Sequence, residues 1–265
     1  MKALRSLLLF ALVAISSAGA APAWEASPQA SVLVTGGNMM NGDHFADRTL
    51  PAMREHFAGC RSVALVLHAT HPDDRDRMEA RMQRAFEHLA GVKAQSLHRL
   101  DAAGARRLLR MADAIFVGGG ESFVLVGELV RSGQVEVIRE RVRAGVPYGG
   151  SSAGANVAGL IIGTTNDFPL ADIPSRDALA LLPVTINPHH PLPAAKPDYD
   201  ARVAKIKIYL RFNPTELVLG LAEASIVRLH RGEAKLMVGN AWLYRASGTR
   251  ELKLGEVIPE FAVGK

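Results

Sequence analysis

The chain has 265 residues, 48% of them hydrophobic, a formal net charge of +5 and a single cysteine, Cys60. The charge is mild and its basic residues are interleaved with acids, as in Asp73-Asp-Arg-Asp-Arg77, so no nucleic-acid footprint is present. One cysteine excludes an intrachain disulfide; Cys60 reads as a small buried hydrophobe and stability must come from packing.

The first residues have the order of a secretory signal. Lys2 and Arg5 precede the apolar run Leu7 to Ile15, and small-residue cleavage sites follow at Ala18-Gly-Ala20 and Ala21-Pro-Ala23. The run is too short for a membrane span of ~20 residues. The expectation is therefore a signal over residues 1–23, a mature chain starting between Ala21 and Trp24, and a periplasmic or secreted protein without stable membrane insertion. Loss of Lys2 and Arg5 lowers the charge from +5 to +3. About 240 residues remain, enough for a single α/β domain over 24–265.

Ser31-Val-Leu-Val-Thr35 predicts a short buried strand ending at Gly36-Gly37-Asn38, a corner read as the lining of a cleft. A helix through Pro51–Phe57 follows, then the β-branched strand Ser62–Leu67. From Asp73 to Leu89 the apolar residues Met78, Met82, Ala85, Phe86 and Leu89 recur at helical spacing with one buried face, and the two methionines read as core. Val92–Leu97 is a weaker strand, Asp101–Met111 a helix opened by its aspartate, and Ala114–Val117 another strand. Gly118-Gly-Gly-Glu-Ser-Phe123 is a glycine-rich corner opening a helix to about Val130; Gly133 separates it from an amphipathic helix over Val135–Ala144. The rhythm of strand and helix predicts a mostly parallel sheet with helices on both faces, whose site lies at the carboxyl ends of the strands. Further on, Thr164–Pro174 reads as a polar loop, Leu182–Asn187 as a strand, Pro188-His-His-Pro191 as a turn and Asp198–Leu210 as a helix. Short strands then predict a C-terminal β-hairpin region, with turns at Arg231-Gly232 and Gly239-Asn240.

Between Tyr148 and Ala158 the chain runs from strand through Gly150-Ser-Ser-Ala-Gly154 into a small-residue helix. This fits G-x-S-x-G, the sharp turn that lifts a serine hydroxyl clear of a sheet. Ser152 would attack a carbonyl while the Ala153 N–H receives the developing oxyanion. A serine nucleophile needs a base, and the base an orienting acid. Asp167 and Asp172 follow in the polar loop, and His189 and His190 just beyond a strand end. His68-Ala-Thr-His71 offers two imidazoles without a third ligand, so no metal is expected, and no cofactor is called for.

Phe116-Val-Gly-Gly-Gly-Glu-Ser-Phe123, the elbow, Thr164-Thr-Asn-Asp-Phe-Pro-Leu-Ala-Asp172 and Ile186-Asn-Pro-His189 together resemble the dipeptidase E (α-aspartyl dipeptidase) family of serine peptidases, related to cyanophycinase. The resemblance implies a flavodoxin-like fold related to class I glutamine amidotransferases. It makes Ser152 the nucleophile, His189 rather than His190 the base and Asp167 the acid, with Asp172 assisting and Glu223 placed third. The second oxyanion donor would come from the Gly118–Gly120 corner, with Gly120 the choice. A small peptide is the expected substrate, and a homodimer is compatible with the chain. Two departures bear on specificity. Glu121 stands where the family has asparagine, and Tyr199 about where an arginine falls, leaving Lys196 or Arg202 to offset the charge of Glu121. The competing readings are cyanophycinase-like cleavage and a non-catalytic periplasmic binding protein using the same cleft.

Overall fold

The computed structural model describes residues 23–262, apart from the side chain at position 90. The signal expected over 1–23 lies outside them but for Ala23. Along the chain the strands are β1 (Ser31–Thr35), β2 (Met40–Asn41), β3 (His44–Phe45), β4 (Ser62–Val66), β5 (Lys93–Ser96), β6 (Ala114–Val117), β7 (Tyr148–Ser151), β8 (Thr185–His190), β9 (Val218–Ala222), β10 (Ile226–His230), β11 (Glu233–Val238), β12 (Ala241–Arg245) and β13 (Gly248–Glu251). The α-helices are α1 (Leu50–His56), α2 (Arg75–Ala90), α3 (Ala102–Met111), α4 (Ser122–Arg131), α5 (Gln134–Arg143), α6 (Ala153–Asn156) and α7 (Lys196–Phe212).

The main sheet has seven strands in the order β11-β10-β1-β7-β6-β4-β5. The run from β1 to β5 is parallel, and β10 and β11 are antiparallel additions at one edge. Alternation along each strand feeds two separate cores. Leu33, Leu65 and Phe116 face one, with Met53 and Phe57 near α1 and Phe86 of α2. Val32, Val34, Ala64, Val66, Ile115 and Val117 face the other, with Leu109, Leu125 and Ile138 from α3, α4 and α5. Both faces being covered is why these strands are continuous apolar runs. The expected α/β architecture holds, and Asp101 opens α3 by accepting the Gly104 N–H at 2.7 Å.

The C-terminal part is more than hairpins. A second sheet of four strands, β13-β12-β9-β8, includes the parallel pair β8–β9. Its Ile186, Leu219, Leu221 and Leu243 join the core of the main body, while Val218, Ala222, Trp242 and Tyr244 pack under Ile206 and Leu210 of α7. The turn expected at Pro188–Pro191 is instead the end of β8, where the pairing with β9 shifts register between Asn187 and His190. The proline N at 188 has no hydrogen to give a ladder, so the strand bulges there and does not stop.

Candidate active site

Parallel pairing sets Thr35 at the end of β1 beside Ser151 at the end of β7. The next residue, Ser152, donates its N–H to Thr35 O at 3.1 Å and adopts φ 55°, ψ −114°, a region that side chains rarely occupy. Close packing of the turn demands the flanking glycines. A Cβ at Gly150 would stand 2.4 Å from Gly154 O, and one at Gly154 would stand 2.1 Å from Val117 O. The strained turn aims Ser152 Oγ out of the sheet and toward the bulge of β8.

That bulge puts His189, itself at φ 53°, across from the serine. Ser152 Oγ and His189 Nε2 are 2.6 Å apart, and His189 Nδ1 is 2.6 Å from Glu223 Oε1. A carboxylate can only accept, so Nδ1 carries the proton and Nε2 is left to accept from the serine hydroxyl. Glu223 follows β9 directly, and two backbone contacts hold it there. His189 N–H donates to Gly36 O at 2.9 Å, and Ala224 N–H to Gly37 O at 2.7 Å. Gly37 lies flat against the pair: a Cβ there would meet His189 Cε1 at 2.2 Å and Glu223 Oε2 at 2.9 Å.

Asp167, expected to orient the base, does something else. Its Oδ2 accepts the Ser122 N–H at 2.7 Å, so it caps α4. Asp172 is exposed on the loop beyond. The acid order Ser…Asp…His is thus replaced by Ser…His…Glu, with the residue placed third, Glu223, at the imidazole. The Thr164–Asp167 segment instead braces the histidine strand. Asn187 Nδ2 donates to Thr164 O, and Asn166 Nδ2 to Pro188 O at 3.2 Å. Arg202 joins them, its Nη1 reaching Asn187 Oδ1 at 2.9 Å and Pro188 O and His189 O at 3.3 Å.

A cavity of about 220 Å³ opens at Ser152 and His189. Its polar rim is Gly37, Asn38, Gly118, Gly119 and Ser151, so the glycine corners do converge on one cleft. The glycine facing the nucleophile is Gly119, where a Cβ would sit 2.9 Å from Ser152 Cβ; Gly120 is turned against Ala69 O, 2.1 Å from its own would-be Cβ. Gly120 does not itself line the cavity. Ala153, buried at the start of α6, is next to it in the chain.

None of Glu121, Tyr199 and Arg202, the residues expected to bind substrate, lines this cavity. Glu121 precedes α4 beside Asp167; burial first, and then that neighbouring carboxylate, hold its carboxyl above the usual range. Tyr199 packs on the ring of His190 at 5.5 Å and of Trp242 at 5.9 Å. Conversely Met78 and Met82, read as core, do line it while also packing in the core of that face. His68 and His71 diverge: His68 is buried with Nε2 2.9 Å from Gln134 Oε1, and His71 is exposed at the start of a short 3-10 turn.

His190 points the opposite way from His189, into the aromatic cluster under α7, 4.7 Å from the Trp242 ring. Its Nδ1–H donates to Pro191 O, and its Nε2 accepts the Tyr244 O–H, both at 2.9 Å. Burial first depresses its pKa to about 4, and burial likewise depresses that of His56, under β7, to about 3. Both rings are neutral when folded, whereas the unfolded chain protonates them below pH ~6.5. Stability is thus fully present above that pH and is lost as pH falls toward the folded values, at most ~1.4 kcal/mol per pH unit for each ring. Burial also lowers His68 and His230, so His190→Phe should reduce this slope by one ring's share, read as the urea midpoint at several pH values between ~7 and ~5. An unchanged slope would mean that folding does not shift the pKa of His190.

A family model, "Peptidase family S51", matches residues 32–237. The chain is 34% identical over 211 residues to a peptidase E of Pasteurella multocida, covering 78% of this chain and 88% of that protein. It is 35% identical over 228 residues to a probable α-aspartyl dipeptidase of Drosophila melanogaster, covering 83% and 92%. Among solved structures, a peptidase from an acI-B1 actinobacterium superposes with a TM-score of 0.65 at 17% identity, over 86% of this chain and 96% of that one. A putative peptidase E from Listeria monocytogenes gives 0.54 at 20%, over 85% and 99%. These last two share the fold. With the match running through the elbow, β8 and Glu223, the chain belongs to peptidase family S51, whose peptidase E members are serine dipeptidases, and it is an enzyme.

Proposed function

We propose that this chain is an exported serine exopeptidase that hydrolyses dipeptides or very short peptides through Ser152, His189 and Glu223. The observation that carries the reading is the unbroken relay from Ser152 Oγ to His189 to Glu223, with both links at 2.6 Å. His189 Nε2 takes the serine proton as Oγ attacks the peptide carbonyl, and the imidazolium that forms is stabilised by Glu223. The Ala153 N–H and the backbone at Gly119 flank the oxyanion, and each such donor is worth ~3 kcal/mol of barrier. His189 then gives its proton to the leaving amine, and water hydrolyses the acyl-enzyme by the same route in reverse. A cavity of about 220 Å³ falls below the roughly 300–1,000 Å³ of sites for drug-sized ligands, which favours short substrates.

The assembled relay argues against a binding protein that merely keeps the cleft. Export rests on Lys2, Arg5 and the apolar run to Ile15, and no helix among the described residues is long and apolar enough to cross a membrane. A fluorophosphonate should label Ser152 once per chain and abolish turnover of X-Leu dipeptides. Intact mass of the labelled protein from its native host should place the N-terminus between Ala21 and Trp24. An unlabelled chain that cleaves no dipeptide overturns the catalytic reading, and a cytosolic chain retaining Lys2 overturns export.

A further inference from the structure

The wall of the cavity beyond Ser152 is made of thioethers and hydrocarbon. Met39 and Met40 come from the loop after β1 and the start of β2, Met78 and Met82 from the inner face of α2, and Leu67 and Phe116 from the ends of β4 and β6. Met39, Met82, Leu67 and Phe116 are each 5% exposed or less. The one charged side chain in the lining is Arg81, whose Nε donates to Gly42 O at 2.8 Å. Glu121, the acid named for specificity, lies elsewhere, beside Asp167 at the start of α4. The part of the substrate that enters beside the reacting carbonyl therefore meets an apolar surface.

We propose, resting on the serine-peptidase reading, that this cavity is the enzyme's specificity pocket for a large apolar side chain, Met, Leu or Phe, next to the scissile bond. Unbranched methionines re-pack around different shapes at little cost, so straight, branched and aromatic side chains all fit. An aspartyl carboxylate would lose its water against four thioether chains, with only the remaining N–H groups of Arg81 to replace it. Each methylene placed in or withheld from such a pocket changes kcat/KM by roughly 10–200-fold. The pocket reads side-chain size and excludes charge.

Two matched dipeptide series test this: X-Leu and Leu-X, with X as Met, Leu, Phe, Ala or Asp. In one of the two, Met, Leu and Phe should exceed Ala by at least ~10-fold and Asp by ~100-fold in kcat/KM. Met78 is only partly buried, so Met78→Lys should fold, and it should lower that ratio of Met to Asp by ~10-fold or more. Asp preferred over Met, Leu and Phe in both series, with Ser152 still labelled by fluorophosphonate, overturns the pocket assignment alone. Absent labelling strikes the serine-peptidase reading instead. The pocket is then decided by calorimetric binding of Met-Leu against Asp-Leu, and of Leu-Met against Leu-Asp, to the Ser152→Ala variant, where tighter binding of the Asp peptide in both pairs overturns it.

Discussion

Glu223→Gln is expected to lower kcat by about 10³–10⁴, while Asp167→Asn changes it by less than ~10-fold. The difference follows from where each carboxylate sits. Glu223 Oε1 holds the Nδ1–H of His189 at 2.6 Å, which leaves Nε2 unprotonated and facing Ser152. A glutamine can turn its NH₂ to Nδ1, and the proton then moves to Nε2, where it blocks acceptance from the hydroxyl. Nothing in the Gln variant stabilises the imidazolium. Asp167 accepts the Ser122 N–H, and an asparagine Oδ1 can accept it too, so Asp167→Asn should change Tm little. Steady-state rates and melting curves on the two variants separate the roles. A dead Asp167→Asn enzyme beside an active Glu223→Gln one would return the acid to the residue that chain order favours.

Ser152 carries the other large effect. Removing its hydroxyl should cost about 10⁶ in kcat, because the relay has nothing left to activate. Stability should move in the opposite sense for one of the two simplest replacements. Ser152 holds φ 55° and ψ −114°, a backbone state that costs an L-residue ~1–3 kcal/mol. Ser152→Ala keeps the Cβ and the strain, so its Tm should match the wild type within a degree or so. Ser152→Gly relieves the strain; even after glycine's extra entropy in the unfolded chain it should melt ~2–4 °C higher. Calorimetry on the three proteins decides it. A glycine variant less stable than the alanine one would place the strain elsewhere in the turn.

The strands β1, β4 and β6 were legible as apolar runs, β1 and β6 closed by glycine, and the elbow because its glycines are forced by contacts below 3 Å. The acid was not. Ala222-Glu223-Ala224 carries no motif, and the resemblance and the order Ser…Asp…His both pointed upstream to the loop. One physical signal was available: Glu223 comes directly after the apolar strand Val218–Ala222, at a carboxyl end. The second sheet hid for a related reason. Pro188 reads as a stop, yet β8 runs through it by bulging, and that bulge is what turns His189 out and His190 in. Helical spacing placed Met78 and Met82 on the inner face of α2, but a period of 3.6 cannot tell a core from the roof of a cleft.

The relay also straddles a seam. Ser152 is anchored on the main sheet, His189 on the second one, and Glu223 on the short link that leaves β9 of the second sheet for β10 of the main one. Ties across that join close to the chemistry include the Gly36 and Gly37 carbonyls to His189 and Ala224 and the Asn156 amide to Ile186 O at 2.5 Å. Two slabs, each internally stiff, thus act as the jaws of a caliper whose gap is the distance from hydroxyl to imidazole. In the proposed relay, a slip of one ångström between them would part hydroxyl from imidazole with every strand still paired. Alignment of the slabs, and not the integrity of either, is the quantity on which turnover depends.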